Sequence, residues 1–364
     1  MKNTDLVMPG LFGLEDERCN RKFSNPKSWG KNQFNSSFPT ALACYMAHIE
    51  QQPVYIVLDE NCKTKHEKID VAELFTLNYD SSNLYFSFEA DFPPYRTIVL
   101  DKLPKTDLVI MDKSNNQSVR CLEVKLTALP DNSTYKLGEN KYGCEIVMRP
   151  VTIIYLALGI ANKFKNNRQD ILNLLEPICS HFHDWKDLDL ILPQIPLIIK
   201  LIDELLVKYI HLQEPLVLQP IWKTQGKTFM LSENCLDMFV WSNFAFTRLF
   251  FDAALDSIKK NEGIGRYTRS VIWLAKMLYD FGCEGKISCE NVVKKLTYNA
   301  QSDKAFALNG SKTNPYMISP ELIQPRIKKT EIKNIILGGG QNLLSPERRF
   351  DAAILNNLDI FIND

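Results

Sequence analysis

Thr106-Asp107-Leu108-Val109-Ile110-Met111, a polar break, and then Cys121-Leu122-Glu123-Val124-Lys125-Leu126 form the stretch on which the fold turns. Leu108 and Ile110 in the first run, and Leu122, Val124 and Leu126 in the second, recur at every second position, the spacing of half-buried strands. The break, Lys113-Ser114-Asn115-Asn116-Gln117-Ser118, is rich in residues that hydrogen-bond their own backbone, so an antiparallel hairpin is the expected connection. Glu123 and Lys125 are two apart and share a face. Asp107 joins them only in a register that sets it opposite Glu123 or Lys125, because a slip of one residue sends it to the other face. The apolar pattern favours the joining register, which gathers Leu108, Ile110, Leu122 and Val124 on the core side.

Two carboxylates and an ammonium group on paired strands suit Mg²⁺-dependent phosphodiester hydrolysis. The carboxylates hold a hard cation, and the lysine orients the attacking water or helps to deprotonate it. Asp107, Glu123 and Lys125 are therefore the candidate catalytic residues, and Asp107, Glu123 and the Val124 carbonyl the candidate metal ligands. Glu-x-Lys alone means little: Glu139/Lys141, Glu284/Lys286 and Glu331/Lys333 repeat it, and the ordinary reading of such a pair is a solvated strand face. Pro130-Asp131 followed by Glu139-Asn140-Lys141 copies the letters more fully. That stretch is loop-like, with no apolar alternation to aim its carboxylates at one ion.

Asp107, a spacer of fifteen residues and Glu123-Val124-Lys125 resemble the PD-(D/E)xK nuclease superfamily, with Thr106 where a proline often stands. That proline forms a turn and carries no chemistry. Pro9-Gly10-Leu11-Phe12-Gly13, Asn25-Pro26, Trp29 to Asn35, Phe38-Pro39 and Leu122 to Asp131 are similar to the HindVP/HgiDI-type restriction endonucleases, most strongly in the N-terminal half. The resemblance implies Mg²⁺-dependent double-strand cleavage at a short palindromic DNA site, with GRCGYC as the family's suggestion. It also implies one or two Mg²⁺ per active site, 5′-phosphate and 3′-hydroxyl ends, and a homodimer with one active site per strand. A cognate DNA methyltransferase is the implied functional partner, without stable binding. Nucleases of this superfamily often add a helix glutamate to the metal site, and Glu50 and Glu73 are the candidates here, although a surface ion pair is the commoner role for each.

Outward from the hairpin, the pattern is that of an α/β protein. A helix is expected from Ser36 or Ser37 to Ile49, a strand at Pro53–Leu58 and a helix-like piece at Asp70–Phe75. Strands at Leu84–Glu89 and Arg96–Leu100 precede the hairpin, and a helix at Pro150–Phe164 follows it. This order predicts a nuclease core with a central mixed sheet flanked by helices, preceded by an N-terminal arm, within residues 1–165. Residues 166–364 read as mainly helical, packed on the core and contributing to DNA binding or dimerisation. Ile198, Ile199, Ile202, Leu205 and Leu206, and Val271, Leu274, Ala275 and Leu278, mark apolar helix faces.

Candidate DNA contacts lie at both ends. Asn and Gln read adenine bidentately and Lys or Arg reads guanine, which singles out Lys31, Asn32, Gln33 and Asn35. The plain alternative is an arm anchored by Trp29 and Phe34. Near the other end, Gly338-Gly339-Gly340 lacks the Lys-Ser/Thr of a nucleotide-binding loop, which excludes ATP, whereas Arg348 and Arg349 could reach phosphate or guanine.

Composition permits this reading. At 364 residues, 45% hydrophobic and 24% charged, the chain is an ordinary folded protein, expected to be soluble and cytoplasmic. Its net charge of zero is unevenly spread: Lys259 to Phe350 carries +8 and the remainder −8. The nine cysteines are odd in number and hold no Cys-x-x-Cys pair, the pattern of reduced packing thiols. Cys179-x-His181-x-His183 is too tightly spaced for a usual zinc site. Without a Gly-x-Ser-x-Gly elbow or a Cys/His setting, serine or cysteine hydrolase chemistry has no support. Two rivals stand beside the restriction enzyme: a structure-specific repair or recombination nuclease on the same core, and a noncatalytic DNA-binding protein on a degenerate one.

Overall fold

The expected hairpin is present, and the ladder it forms organises the strands around it. A computed structural model of the chain describes residues 54–68, 84–112, 114–122, 124–126, 142–145, 150–214, 216–224, 231–240, 243–260, 265–296 and 315–319. The strands are Val54–Leu58 (β1), Thr64–Lys68 (β2), Leu84–Ala90 (β3), Thr106–Asp112 (β4), Gln117–Leu122 (β5), Val124–Leu126 (β6), Tyr142–Glu145 (β7), Leu216–Thr224 (β8), Leu231–Val240 (β9) and Pro315–Ser319 (β10). They form three sheets, ordered β3-β4-β5, β2-β1-β8-β9-β6 and β10-β7.

Every described ladder is antiparallel, and the parallel pairing among the described residues is the isolated bridge Val99↔Ile287. The described strands therefore do not make the expected central mixed sheet. Tight turns favour this outcome, since they join strands only in opposite directions. At β1–β2 the Asp59 carboxylate accepts from the N–H groups of Asn61 (2.8 Å) and Lys63 (2.9 Å). At β4–β5 Asp112 accepts from Ser114 N–H (2.8 Å) and hydroxyl (2.6 Å), and Asn116 sits at φ 54°. Those Ser114 bonds hold the Asp112 carboxyl below the usual range. Successive strand residues face opposite sides of a sheet, yet Val109 and Ile110 are both fully buried, so β4 is covered on both faces at its centre. Half-burial was the expectation; the unbroken apolar run Leu108 to Met111 is what a strand covered on both sides looks like.

Arg96–Leu100 is not a strand. Pro93 and Pro94 lack N–H groups and fix φ, and they open a 3₁₀ helix over Pro93–Ile98. Its buried residues, Tyr95 and Ile98, are three apart, the repeat of that helix. The chain then reaches across to the C-terminal half: Leu100 N–H donates to the Ile287 carbonyl (3.0 Å) and Ile287 N–H to that of Ile98 (2.8 Å).

The described helices of eight residues or more are Pro150–Lys163 (α1), Arg168–Cys179 (α2), Ile195–Lys208 (α3), Asn243–Lys259 (α4), Arg266–Glu284 (α5) and Cys289–Leu296 (α6). α5 packs against each of the other five, with Val271, Trp273, Leu274, Ala275, Met277 and Leu278 fully buried. α4 packs on β1, β8 and β10, and so joins the helices to two sheets. On α3 the apolar face predicted from the sequence is buried in full. α5 ends at Gly285, whose φ of 74° lies in the left-handed region that favours glycine, beside the Arg168 guanidinium. The segment after residue 165, expected to be mainly helical, also holds the long hairpin β8–β9, which pairs with β1 and β6. The helices expected at Ser36–Ile49 and Asp70–Phe75 lie outside the described residues. No described helix is long and apolar enough to cross a membrane.

α6 begins on a cap supplied from far away. The Asp101 carboxylate accepts from Glu290 N–H (2.9 Å), Cys289 N–H (3.2 Å) and the Ser288 hydroxyl (2.9 Å). Asp101→Ala removes acceptors that the first turn of a helix needs. Its stability should fall by about 1–2 kcal/mol, read from urea denaturation.

Candidate active site

Asp107 is the second residue of β4, and Lys125 is the middle residue of β6, paired with Phe239 of β9. Val124 pairs with Val240. Glu123 lies outside the described residues, as do Glu50, Glu73, Lys31, Asn32, Gln33, Asn35, Arg348 and Arg349. β5 and β6 belong to different sheets, so the run from Gln117 to Leu126 leaves β4 and reaches β9 across position 123. The sequence reads this run as one strand of one hairpin; the structure divides it between two sheets.

The register can be followed up to the neighbour of Asp107. At the turn end, Asp112 pairs with Gln117 and Met111 with Ser118. Between Met111 and Ile110 the register shifts, leaving Val119 as the extra residue of a bulge. Beyond it Ile110 pairs with Arg120, Val109 with Cys121 and Leu108 with Leu122. This far register has the parity that the joining arrangement requires, with position 107 counted against position 123. The turn-end register, carried on without the bulge, would count 107 against Leu122 and fail.

The end of β5 is held from two sides. Cys121 donates its thiol to the Tyr95 hydroxyl at 3.1 Å. Tyr95 is buried, and burial first, then the neighbouring thiol, pushes its hydroxyl well above the ordinary range. Arg120, 6% exposed, approaches Glu214 at 3.6 Å, and Lys163 at the end of α1 donates to the same Glu214 oxygen at 3.0 Å. Burial lowers the Arg120 pKa and the Glu214 carboxylate opposes that shift. On the β3 side, the buried Thr106 hydroxyl donates to the Ala90 carbonyl at 3.2 Å. Sequence reasoning missed Tyr95, Glu214 and the β8–β9 hairpin. The β-prone pair Phe239-Val240 at the end of β9 is the signal that could have found the hairpin.

Cys179 turns into the core, where burial pushes its thiol up to about 12, whereas His181 and His183 are exposed. Among the described residues no group of three His, Cys, Asp or Glu side chains could hold a metal ion.

Over residues 29–361 the chain matches the HindVP restriction endonuclease family. It belongs to that family. Similar proteins include the type II restriction enzyme HgiDI of Herpetosiphon aurantiacus, 46% identical over 356 residues that cover 98% of each chain. The probable type II restriction enzyme HindVP of Haemophilus influenzae is 39% identical over 359 residues, 98% of this chain and 96% of the relative. No solved structure matches. As a member of the HindVP family the protein is a type II restriction endonuclease, a hydrolase of DNA phosphodiester bonds at specific sites.

Proposed function

We propose that this endonuclease carries a PD-(D/E)xK site at Asp107, Glu123 and Lys125. It makes Mg²⁺-dependent double-strand cuts at a short palindrome, GRCGYC, and leaves 5′-phosphate ends. The observation that carries this reading is the register Leu108↔Leu122, the parity under which Asp107 and Glu123 share a face. Asp107, Glu123 and the Val124 carbonyl would hold one or two Mg²⁺; all are hard oxygen donors, which suits that ion. When bound, the ion neutralises charge at the scissile phosphate and makes water more acidic. Lys125 orients the attacking water and offsets negative charge on the phosphate. In this reading Glu50 or Glu73 completes the donor set.

A palindromic site calls for a homodimer with one active site per strand, working in the cytoplasm of a prokaryotic cell beside a cognate DNA methyltransferase. Residues 1–165 form the arm and nuclease core, and residues 166–364 serve DNA binding or dimerisation. Sequencing the ends of digested plasmid DNA tests the proposal. Termini that all fall within GRCGYC, obtained with Mg²⁺ and lost with chelator, are the expected result. Termini scattered over unrelated sequences, or nicking confined to branched DNA, would replace it.

Lys31, Asn32, Gln33, Asn35, Arg348 and Arg349 supply the DNA contacts in this reading. For Arg348→Ala the affinity for the specific site should fall about tenfold to a hundredfold, as for loss of a base-reading arginine. Fluorescence anisotropy at matched salt measures it, and an unchanged isotherm removes Arg348 from the contacts.

A further inference from the structure

We infer that Glu214 is a positioning residue for the proposed active site, acting through Arg120; the inference rests on the assignment of Asp107, Glu123 and Lys125. Arg120 stands three residues before Glu123, directly after the bulge at Val119. Its guanidinium is buried on the sheet side opposite to Cys121, because neighbouring strand residues face opposite ways. The Tyr95–Cys121 contact therefore fixes one side of the strand, and Arg120 with Glu214 fixes the other.

Glu214 is itself well anchored. Lys163 donates to it, and the preceding residue, Gln213, clasps β1 in the manner of an extra strand. The Gln213 side chain accepts from Leu58 N–H at 2.8 Å and donates to the Leu58 carbonyl at 2.9 Å. The Glu214 carboxylate thus ties β5 to α1, and its neighbour Gln213 ties the same turn to the end of β1, just before the chain leaves one sheet for the other. A site whose two carboxylates come from neighbouring strands works only if the strands keep their register and depth.

Glu214→Gln alone leaves a buried guanidinium without its counter-charge and can unfold the protein. The test therefore pairs it with the double variant Arg120→Met/Glu214→Leu, which replaces the ion pair by apolar side chains of similar bulk. In the double variant kcat should fall about tenfold and the Mg²⁺ midpoint for cleavage should rise severalfold. Mg²⁺ affinity measured by titration calorimetry should weaken in step, whereas the melting temperature and the Kd for DNA in Ca²⁺ stay near the parent values. Parent-like kcat, Mg²⁺ midpoint and calorimetric affinity overturn the inference, as does a loss of kcat that follows the melting temperature alone. Glu123→Ala, run alongside, separates the two readings: if that variant still cuts DNA, the site assignment fails first.

Discussion

Glu123→Ala is expected to lower DNA cleavage by at least about a thousandfold, because it removes a charged donor that acts at the reacting phosphate. Specific DNA binding should stay within a few-fold of the parent. The two outcomes separate because the carboxylate itself repels the phosphate backbone, and the few-fold allowance covers the bound cation lost with it. A gel shift in Ca²⁺ with an oligonucleotide carrying the site measures binding, and a single-turnover digest in Mg²⁺ measures cleavage. Glu123→Gln keeps one neutral carbonyl oxygen and should fall between the parent and the alanine variant. Lys125→Ala, two residues on, should lose cleavage without losing metal affinity, since an ammonium group is no ligand. Retained nicking by Glu123→Ala would sink the assignment and move the search to other acidic residues of β4 and β9.

The hairpin that carries this expectation is legible because two independent signals agree on it. Apolar alternation, which also favours the register, and an Asn- and Ser-rich turn derive from different residues, and consistency of that kind is what specifies a local fold. The bulge at Val119 is not legible: nothing in Ser118-Val119-Arg120 marks an extra residue, and only the paired strand reveals it. Sheet membership is hidden for a related reason. β6 looks like the continuation of β5, but its partner, β9, lies over one hundred residues away, and no local pattern encodes a long-range pairing. β8 is masked by its own composition: Pro220 argues against a strand, and its leucines suit the helices on either side equally well. The apolar face of α3, by contrast, can be read almost residue by residue, because burial there follows the 3.6-residue period, whereas α5 is buried without a break from Tyr267 to Ala275. The resemblance in the N-terminal motifs reaches further than any of these patterns, since it implies an activity where periodicity implies only shape.

Arg248→Met should be the most damaging single change to the scaffold, with a loss of about 3 kcal/mol at neutral pH, the lower end for a broken buried pair. Arg248 on α4 is 8% exposed and donates through Nη1 to both carboxylate oxygens of Asp203 on α3, at 2.7 and 2.8 Å. Its guanidinium also lies over the Phe251 ring at 5.2 Å. The Asp203 carbonyl in turn accepts from the Cys62 thiol, at 3.5 Å, so the pair joins two helices to the β1–β2 turn. Methionine keeps the bulk of the arginine stem and deletes the charge, which isolates the electrostatic part. Burial already holds the Asp203 carboxyl above its ordinary range, against the pull of Arg248; without the guanidinium it rises further. A carboxyl with a folded pKa above its unfolded value, about 3.9, binds its proton more tightly when folded, so the variant loses stability as pH rises through the folded pKa. The deficit should therefore be full at neutral pH and shrink as the pH falls through the folded pKa toward the unfolded value, a trend that urea denaturation at neutral and acidic pH can resolve. A deficit equal at both would mean that packing, not charge, is what Arg248 contributes. Asp203→Leu combined with Arg248→Met removes both charges together, and should recover most of the lost stability at neutral pH, where the single variant is weakest.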